Sequence, residues 1–171
     1  MGWSLGFVDT GVVTRSGDPL HICFVCTGNI CRSPMAALVF AEHVRRAGLA
    51  DEVRVSSAGT GGWHVGDGAD PRTVRVLVDG GYPADHAAAQ VAAEHLDADL
   101  LVALDTGHER ALRRLAADPG RVVLLRDFDP DAGRDRDVPD PYYGDDAGFA
   151  EVMAMVEAAM PGMVAWVRDR L

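Results

Sequence analysis

Apolar positions along the chain fall into short blocks set off by glycine, proline and aspartate. The first block, Leu20 to Cys26 (LHICFVC), is rich in strand formers and predicts a buried strand. Ser33-Pro34 then reads as a helix N-cap followed by a proline at the first helical position. Met35, Leu38, Val39, Phe40 and Val44 carry the helix, and Gly48 ends it. Val53 to Ser57 predicts a second strand. A loop with five glycines (Gly59, Gly61, Gly62, Gly66, Gly68) leads to a second cap and proline pair, Asp70-Pro71, and a helix to Asp79 closed by Gly80-Gly81. Further on, the pattern predicts a short helix over Gln90 to Leu96, a strand over Leu100 to Leu104, a helix over Thr106 to Ala116 and a strand over Val122 to Leu125. A stripe of Phe149, Val152, Met153, Val156, Met160, Met163, Val164 and Val167 passes through Pro161, which predicts a last helix bent at that proline.

Strands alternating with helices at this spacing imply an α/β fold: a single domain with a four-stranded parallel sheet, helices on both faces and right-handed crossovers, in the Rossmann-like manner. Ligands of such sheets bind beyond the C-terminal ends of the strands. Residues 26 to 33 occupy that place after the first strand. A length of 171 residues agrees with one domain, expected over residues 19–171, with a weakly ordered extension over residues 1–18.

Composition narrows the function more than the fold. Apolar residues make up 48% and no uninterrupted apolar run approaches the roughly 18 residues of a membrane span. Sixteen basic residues, all arginine, stand against 26 acidic ones for a net charge of −10. Sequence-independent binding to nucleic acid or anionic lipid calls for a basic face, so neither partner is expected. Any anion must be held locally. The segment Gly2 to Val13 has no basic n-region and carries Asp9, a poor signal peptide. The expected location is the cytoplasm, with export lacking a classical signal left open.

All three cysteines, Cys23, Cys26 and Cys31, lie within nine residues, a poor disulfide framework and a better candidate for a reactive thiol. The six histidines show no ligand spacing with them, so no metal and no cofactor is expected. Cys23 belongs to the strand and reads as core. Cys26-Thr-Gly-Asn-Ile-Cys-Arg32 bridges a strand end and a helix start, where unpaired backbone N–H groups favour an anion. Gly28 and Asn29 tolerate positive φ, so the amides of Thr27, Gly28, Asn29, Ile30 and Cys31 can turn inward as a nest, and Arg32 adds a planar fork for two phosphate oxygens. The same groups favour the thiolate of Cys26 over the free thiol, whose ordinary pKa is about 8.5. Ser33 either caps the helix or also donates to the sulfur. Cys31 is either packing or a partner for a reversible disulfide with Cys26.

FVCTGNICRSPMA resembles the signature of the low-molecular-weight protein tyrosine phosphatases. SAGTGGWHVG, the DPR at 70 to 72, DHAAAQ at 85 to 90 and DPYYG at 140 to 144 resemble that family's later blocks in order, so the resemblance spans residues 20 to 171. It implies the phosphatase version of the fold and hydrolysis of protein phosphotyrosine through a phosphocysteine, releasing inorganic phosphate. Asp-Pro occurs five times, but the resemblance singles out Asp140 as general acid and then base. It makes Trp63 and Tyr142 walls of the substrate cleft, Tyr143 a further substrate contact, an inward-packing residue or a phosphorylation target, and His86 a hydrogen-bond partner of Asn29. Ala89 departs from the family, where arginine is common. Two other readings stay open: a protein arginine phosphatase, whose loop tends to carry threonine at the position of Ile30, and a phosphotyrosine-binding module without turnover. An arsenate reductase of this fold needs cysteines beyond Cys31, and there are none. Residues 127 to 146 carry eight aspartates and two arginines, a face expected to be solvated or to favour basic substrate flanks. A monomer is the default.

Overall fold

Alternation along the first strand, β1 (Leu20–Cys26), sets the architecture. All seven residues are buried: Leu20, Ile22, Phe24 and Cys26 join one apolar cluster, and Cys23 and Val25 join a second. Period-2 side chains buried on both faces are what a central parallel strand requires. The computed structural model describes residues 17–171 and places β1 inside a four-stranded parallel sheet of order β2-β1-β3-β4. The other strands are β2 (Val53–Gly59), β3 (Leu100–Ala103) and β4 (Val122–Leu124). The chain leaves β1 for β2 on one side and returns to β3 on the other, so a topological switch point opens between β1 and β3 at their C-terminal ends.

Among the described residues, five α-helices cover the two faces: α1 (Arg32–Arg46), α2 (Pro71–Asp79), α3 (Ala93–Leu96), α4 (Thr106–Leu115) and α5 (Asp146–Arg168). Helices α1, α2 and α5 pack on the Phe24 side through Met35, Phe40, Leu77, Phe149, Val156 and Met160. Leu112 of α4 packs on the Val25 side. Phe24 and Phe40 meet edge to face at 5.6 Å, and burying each such side chain contributes ~1.5–3 kcal/mol. Helix α5 is long and apolar enough to cross a membrane by length and composition, but its apolar stripe is spent on this core.

Two expectations are corrected. Helix α1 starts at Arg32 with Cys31 in the cap position, so Ser33 lies in the first turn, where its hydroxyl makes no cap. The helix predicted over Gln90 to Leu96 is confined to Ala93–Leu96, because Gln90 forms a parallel bridge with Gly59 that extends the sheet edge. Helix α5 continues through Pro161 as a single element, as the apolar stripe predicts. The second cap and proline pair behaves as predicted: Asp70 accepts the Arg72 N–H at 2.8 Å and Pro71 opens α2. Of the extension expected over residues 1–18, residues 1–16 lie outside the described residues.

Candidate active site

The loop between β1 and α1 is held from outside by its carbonyl groups. Thr60 N–H donates to Cys26 O (2.9 Å), Gly61 N–H to Thr27 O (3.0 Å), Asp70 N–H to Ile30 O (2.9 Å) and His86 Nε2–H to Asn29 O (2.7 Å). In a planar peptide the N–H points opposite to the C=O. The amides of Thr27, Gly28, Ile30 and Cys31 therefore turn to the inner side, toward the Cys26 sulfur, as an anion nest. Asn29 makes the turn possible: at φ 57° it is the one non-glycine residue in the left-handed region among the described residues. Gly59, at the end of β2, lets the loop come this close, because a Cβ there would lie 2.6 Å from Thr27 O.

Asn29 was predicted to contribute its backbone to the nest, and its side chain is fully buried behind the loop. Its Nδ2 donates to Ser33 Oγ (2.8 Å) and Ser57 Oγ (3.0 Å), and its Oδ1 accepts the Ala89 N–H (3.0 Å). Residue 89 makes this contact through its backbone N–H, which alanine supplies. Ser33 Oγ lies 2.9 Å from Cys26 Sγ, so the predicted contact with the sulfur is present although the cap is not. His86 bonds Asn29 as expected, and burial lowers its pKa below the ordinary histidine value.

Arg32 is buried at the mouth of α1. Its Nη1 donates to Asp105 Oδ2 (2.9 Å) and Val138 O (3.0 Å), while Nη2 lies 3.5 Å from Thr27 Oγ1 and 3.7 Å from Asp140 Oδ2. Two bonds on one nitrogen anchor the guanidinium at Nη1 and leave its other edge for an anion. The Asp105 carboxyl titrates below its usual range. Burial opposes this, and the His108 N–H, the field of His108 and the Arg32 guanidinium outweigh it. Cys23 and Cys31 are neutral thiols, pushed by burial up to about 11 and about 12. Neither competes with Cys26 as a nucleophile.

A cavity of about 360 Å³ opens over Cys26. Its floor is Cys26, Thr27, Gly28, Ile30, Cys31 and Arg32; its rim is Trp63, His64, Asp140, Tyr142 and Tyr143. Every residue predicted to hold substrate reaches it except Asn29, and Ser33 and His86 stand behind it as supports. Trp63 is 76% and Tyr143 90% exposed, and Tyr142 is 40% exposed with its ring edge to face with Tyr143 at 4.9 Å. Exposed aromatic rings around a polar floor suit an aryl group whose charged end goes to the bottom. Arg72 anchors the rim: it donates to Tyr142 O (3.0 Å) and Gly144 O (3.2 Å), and its guanidinium lies 4.4 Å over the Phe149 ring.

The acidic loop is largely engaged locally. Asp127 pairs with Arg136 at 2.8 Å, Asp137 accepts the Thr106 N–H, Asp145 caps α5 and Asp146 pairs with Arg75. Its charge shapes the loop before it meets any partner. Sequence reasoning missed Ser57, Gly59, His64, Asp105 and His108. The signal available for Asp105 was its position just past a predicted strand end.

The family model described as Low molecular weight phosphotyrosine protein phosphatase matches residues 21–170. Low molecular weight protein-tyrosine phosphatase A of Mycobacterium tuberculosis is 60% identical over 155 residues, 90% of this chain and 95% of that one. The crystal structure of YfkJ from Bacillus subtilis superposes with a TM-score of 0.83 at 34% identity, over 90% of this chain and 98% of that one. The YwlE arginine phosphatase, in a Cys-to-Ser form with a phosphorylated active-site serine, superposes with a TM-score of 0.77 at 27% identity, over 86% and 95%. A match across the whole sheet and the cysteine loop together makes this chain a member of the low molecular weight phosphotyrosine protein phosphatases, hydrolases of protein phosphotyrosine.

Proposed function

We propose the following roles for the residues of this phosphatase. Cys26 Sγ attacks phosphorus and forms an S–P bond as the bond from phosphorus to the tyrosyl oxygen breaks. Asp140 gives its proton to that oxygen, whose phenol has an ordinary pKa of about 10 and would otherwise leave as a poor anion. The inward amides and Arg32 hold the three equatorial oxygens as charge redistributes. Asp140, now a carboxylate, takes a proton from water as the water oxygen attacks phosphorus. The S–P bond breaks, inorganic phosphate leaves and the Cys26 thiolate is restored. Nucleophile, acid and charge all come from side chains and amides, so no metal or cofactor enters the scheme.

The observation that carries this reading is the ring of outward-bonded carbonyls, which turns the loop amides toward one buried sulfur beside Arg32. The phosphorylated active-site serine reported for a Cys-to-Ser form of the YwlE arginine phosphatase supports a covalent step at the equivalent atom. Depth sets selectivity: a thiol on the floor of an aromatic-walled cleft is reached by a long aryl phosphate and poorly by phosphoserine. Ile30 on that floor favours the apolar edge of a phenol ring over a guanidinium. The enzyme is proposed to act as a monomer on phosphoproteins in the reducing cytoplasm, where its three free thiols persist.

The test is phosphate release by reduced protein from matched phosphotyrosine, phosphoserine and phosphoarginine peptides, with Cys26→Ser alongside. Turnover of the tyrosine peptide that Cys26→Ser abolishes is expected. Preference for phosphoarginine, or wild-type turnover by Cys26→Ser, overturns the proposal.

A further inference from the structure

We infer that His108 is a positioning residue for the reaction, acting through the Thr27 hydroxyl to hold the Arg32 guanidinium toward the anion nest and away from Asp140. Resting on the reading of Arg32 as the phosphate-holding group and Asp140 as the acid, it adds a residue from α4 that touches neither substrate nor sulfur.

Four side chains close a ring beside the cavity. His108 Nε2 lies 2.8 Å from Thr27 Oγ1, and Arg32 Nη2 approaches the same oxygen at 3.5 Å. Arg32 Nη1 donates to Asp105 Oδ2 at 2.9 Å, and Asp105 Oδ1 accepts the backbone N–H of His108 at 3.0 Å. The ring closes where His108 Nδ1 stands 3.1 Å from Asp105 Oδ1, an electrostatic approach whose angle falls outside hydrogen-bond range. His108 and Arg32 are buried, Asp105 is half-buried and fixed as the cap of α4, and Thr27 is the exposed corner.

Proton roles follow from the inventory. A guanidinium only donates, so Thr27 Oγ1 accepts from Arg32. The Asp105 carboxylate only accepts, so the single ring proton of the neutral His108 sits on Nδ1, 3.1 Å from it, and Nε2 accepts the Thr27 hydroxyl proton. The groups that face it are Asp105 on its own helix, Arg32 from α1, and Asp137 and Asp140 from the acid loop. Burial is the largest influence and, with Arg32, lowers its pKa to about 4 against the three carboxylates, so Nε2 remains an acceptor across the neutral range.

The geometry gives the ring a task. Asp105 and Val138 O both hold Nη1 and so leave the guanidinium free to tilt about that nitrogen. Nη2 has two neighbours, the Thr27 hydroxyl at 3.5 Å and the Asp140 carboxylate at 3.7 Å. A hydroxyl anchored by His108 keeps Nη2 on the nest side. Without that anchor Nη2 closes on Asp140, which weakens phosphate binding and favours the carboxylate form of the group that must donate a proton.

The test uses His108→Ala, His108→Gln, Thr27→Val and the Thr27→Val/His108→Ala double variant of the full chain. Turnover of p-nitrophenyl phosphate, inhibition by inorganic phosphate and the pH dependence of kcat/KM are measured for each. His108→Ala and Thr27→Val are each expected to raise the phosphate inhibition constant about fivefold, on the order of one hydrogen bond. Both should also move the basic limb of the pH profile to lower pH. The double variant should be no worse than either single one, and His108→Gln, whose amide oxygen can accept from Thr27, should recover most of the loss. Unchanged phosphate inhibition and pH profile in Thr27→Val, which alters an exposed side chain and leaves the core intact, overturns the inference, as do additive effects in the double variant. Wild-type protein that does not hydrolyse the ester overturns the underlying assignment of Cys26 and Arg32, an outcome separate from any difference among the variants.

Discussion

Ser33 Oγ stands 2.9 Å from Cys26 Sγ and accepts from Asn29 Nδ2 at 2.8 Å. Its one proton is free for the sulfur, and it is the donor of that pair once Cys26 is the thiolate that the proposed mechanism requires. The other acceptor in reach, Ala58 O, is at 3.5 Å. A hydroxyl donating to a charged sulfur is worth ~1.5–3 kcal/mol, or roughly 10- to 100-fold in rate. Ser33→Ala is expected to lower kcat by that factor with KM for an aryl phosphate little changed, and to slow alkylation of Cys26 by iodoacetamide at neutral pH. Steady-state kinetics at wild-type kcat would show that the hydroxyl serves only the loop.

Asp140 is held for proton transfer by its own loop: its Oδ1 accepts the Tyr142 N–H at 3.1 Å, and Arg72 fixes that stretch by its carbonyls. Asp140→Asn keeps the size and removes the proton. A loss of about 10²- to 10⁴-fold in kcat is expected with phenyl phosphate, whose leaving group needs the proton most. The loss should be much smaller with a nitrophenyl ester, because its anion leaves unaided. Equal losses on the two substrates would remove Asp140 from the acid role and leave it a rim residue.

Gly59 is required by closeness alone, since its φ is not in the left-handed region. A methyl group at this position would lie 2.6 Å from Thr27 O, 3.0 Å from Gly61 O and 3.2 Å from Asn29 N, all backbone atoms of the loop or its support. Overpacking of this kind costs about 1–3 kcal/mol, and each kcal/mol lowers Tm by roughly 2–4 °C in a domain this size. Gly59→Ala is expected to lower Tm by several degrees and to reduce kcat/KM by more than that loss of fold explains, because the displaced atoms carry the nest. Calorimetry with kinetics well below Tm separates the two effects.

The parts of the site contiguous in sequence were legible before the fold was known. Cys26 to Arg32 could be placed between a strand end and a helix start because apolar period and turn residues mark both boundaries. Asp70-Pro71 announced its helix by the same local chemistry. What could not be read depends on strand order. Asp105 and His108 meet Arg32 and Thr27 only because β3 lies beside β1, and no local pattern says that the third strand returns to the far side of the first. Gly59 and Ser57 support the loop because β2 pairs with β1 in the register Cys26↔Gly59, which local periodicity leaves undetermined. The misplaced cap at Ser33 has a similar cause. Ser-Pro has the look of a helix start, but the anion loop draws the first turn back by two residues and turns the hydroxyl over to Cys26 and Asn29.

Four buried or half-buried histidines set the acid limit of stability. Burial is the largest cause of a lowered pKa in His21, His43, His86 and His108, and for His108 the value falls to about 4. The unfolded chain takes up these protons near the ordinary histidine value of about 6.5, before the folded chain does. Below about pH 6.5 the unfolded state therefore binds more protons, and stability falls as pH falls, for His108 until about pH 4. Above about pH 6.5 both states are deprotonated at these sites and the contribution is fully present. For His108, with little solvent screening, the loss across that window is on the order of 3 kcal/mol, enough to matter in a domain whose whole stability is about 5–15 kcal/mol. Urea unfolding at pH 7.5, 6 and 5 should show a falling midpoint at constant slope, and His108→Gln should flatten that fall because it has no proton to take up. An equally steep fall in His108→Gln would assign the acid sensitivity to the other three histidines.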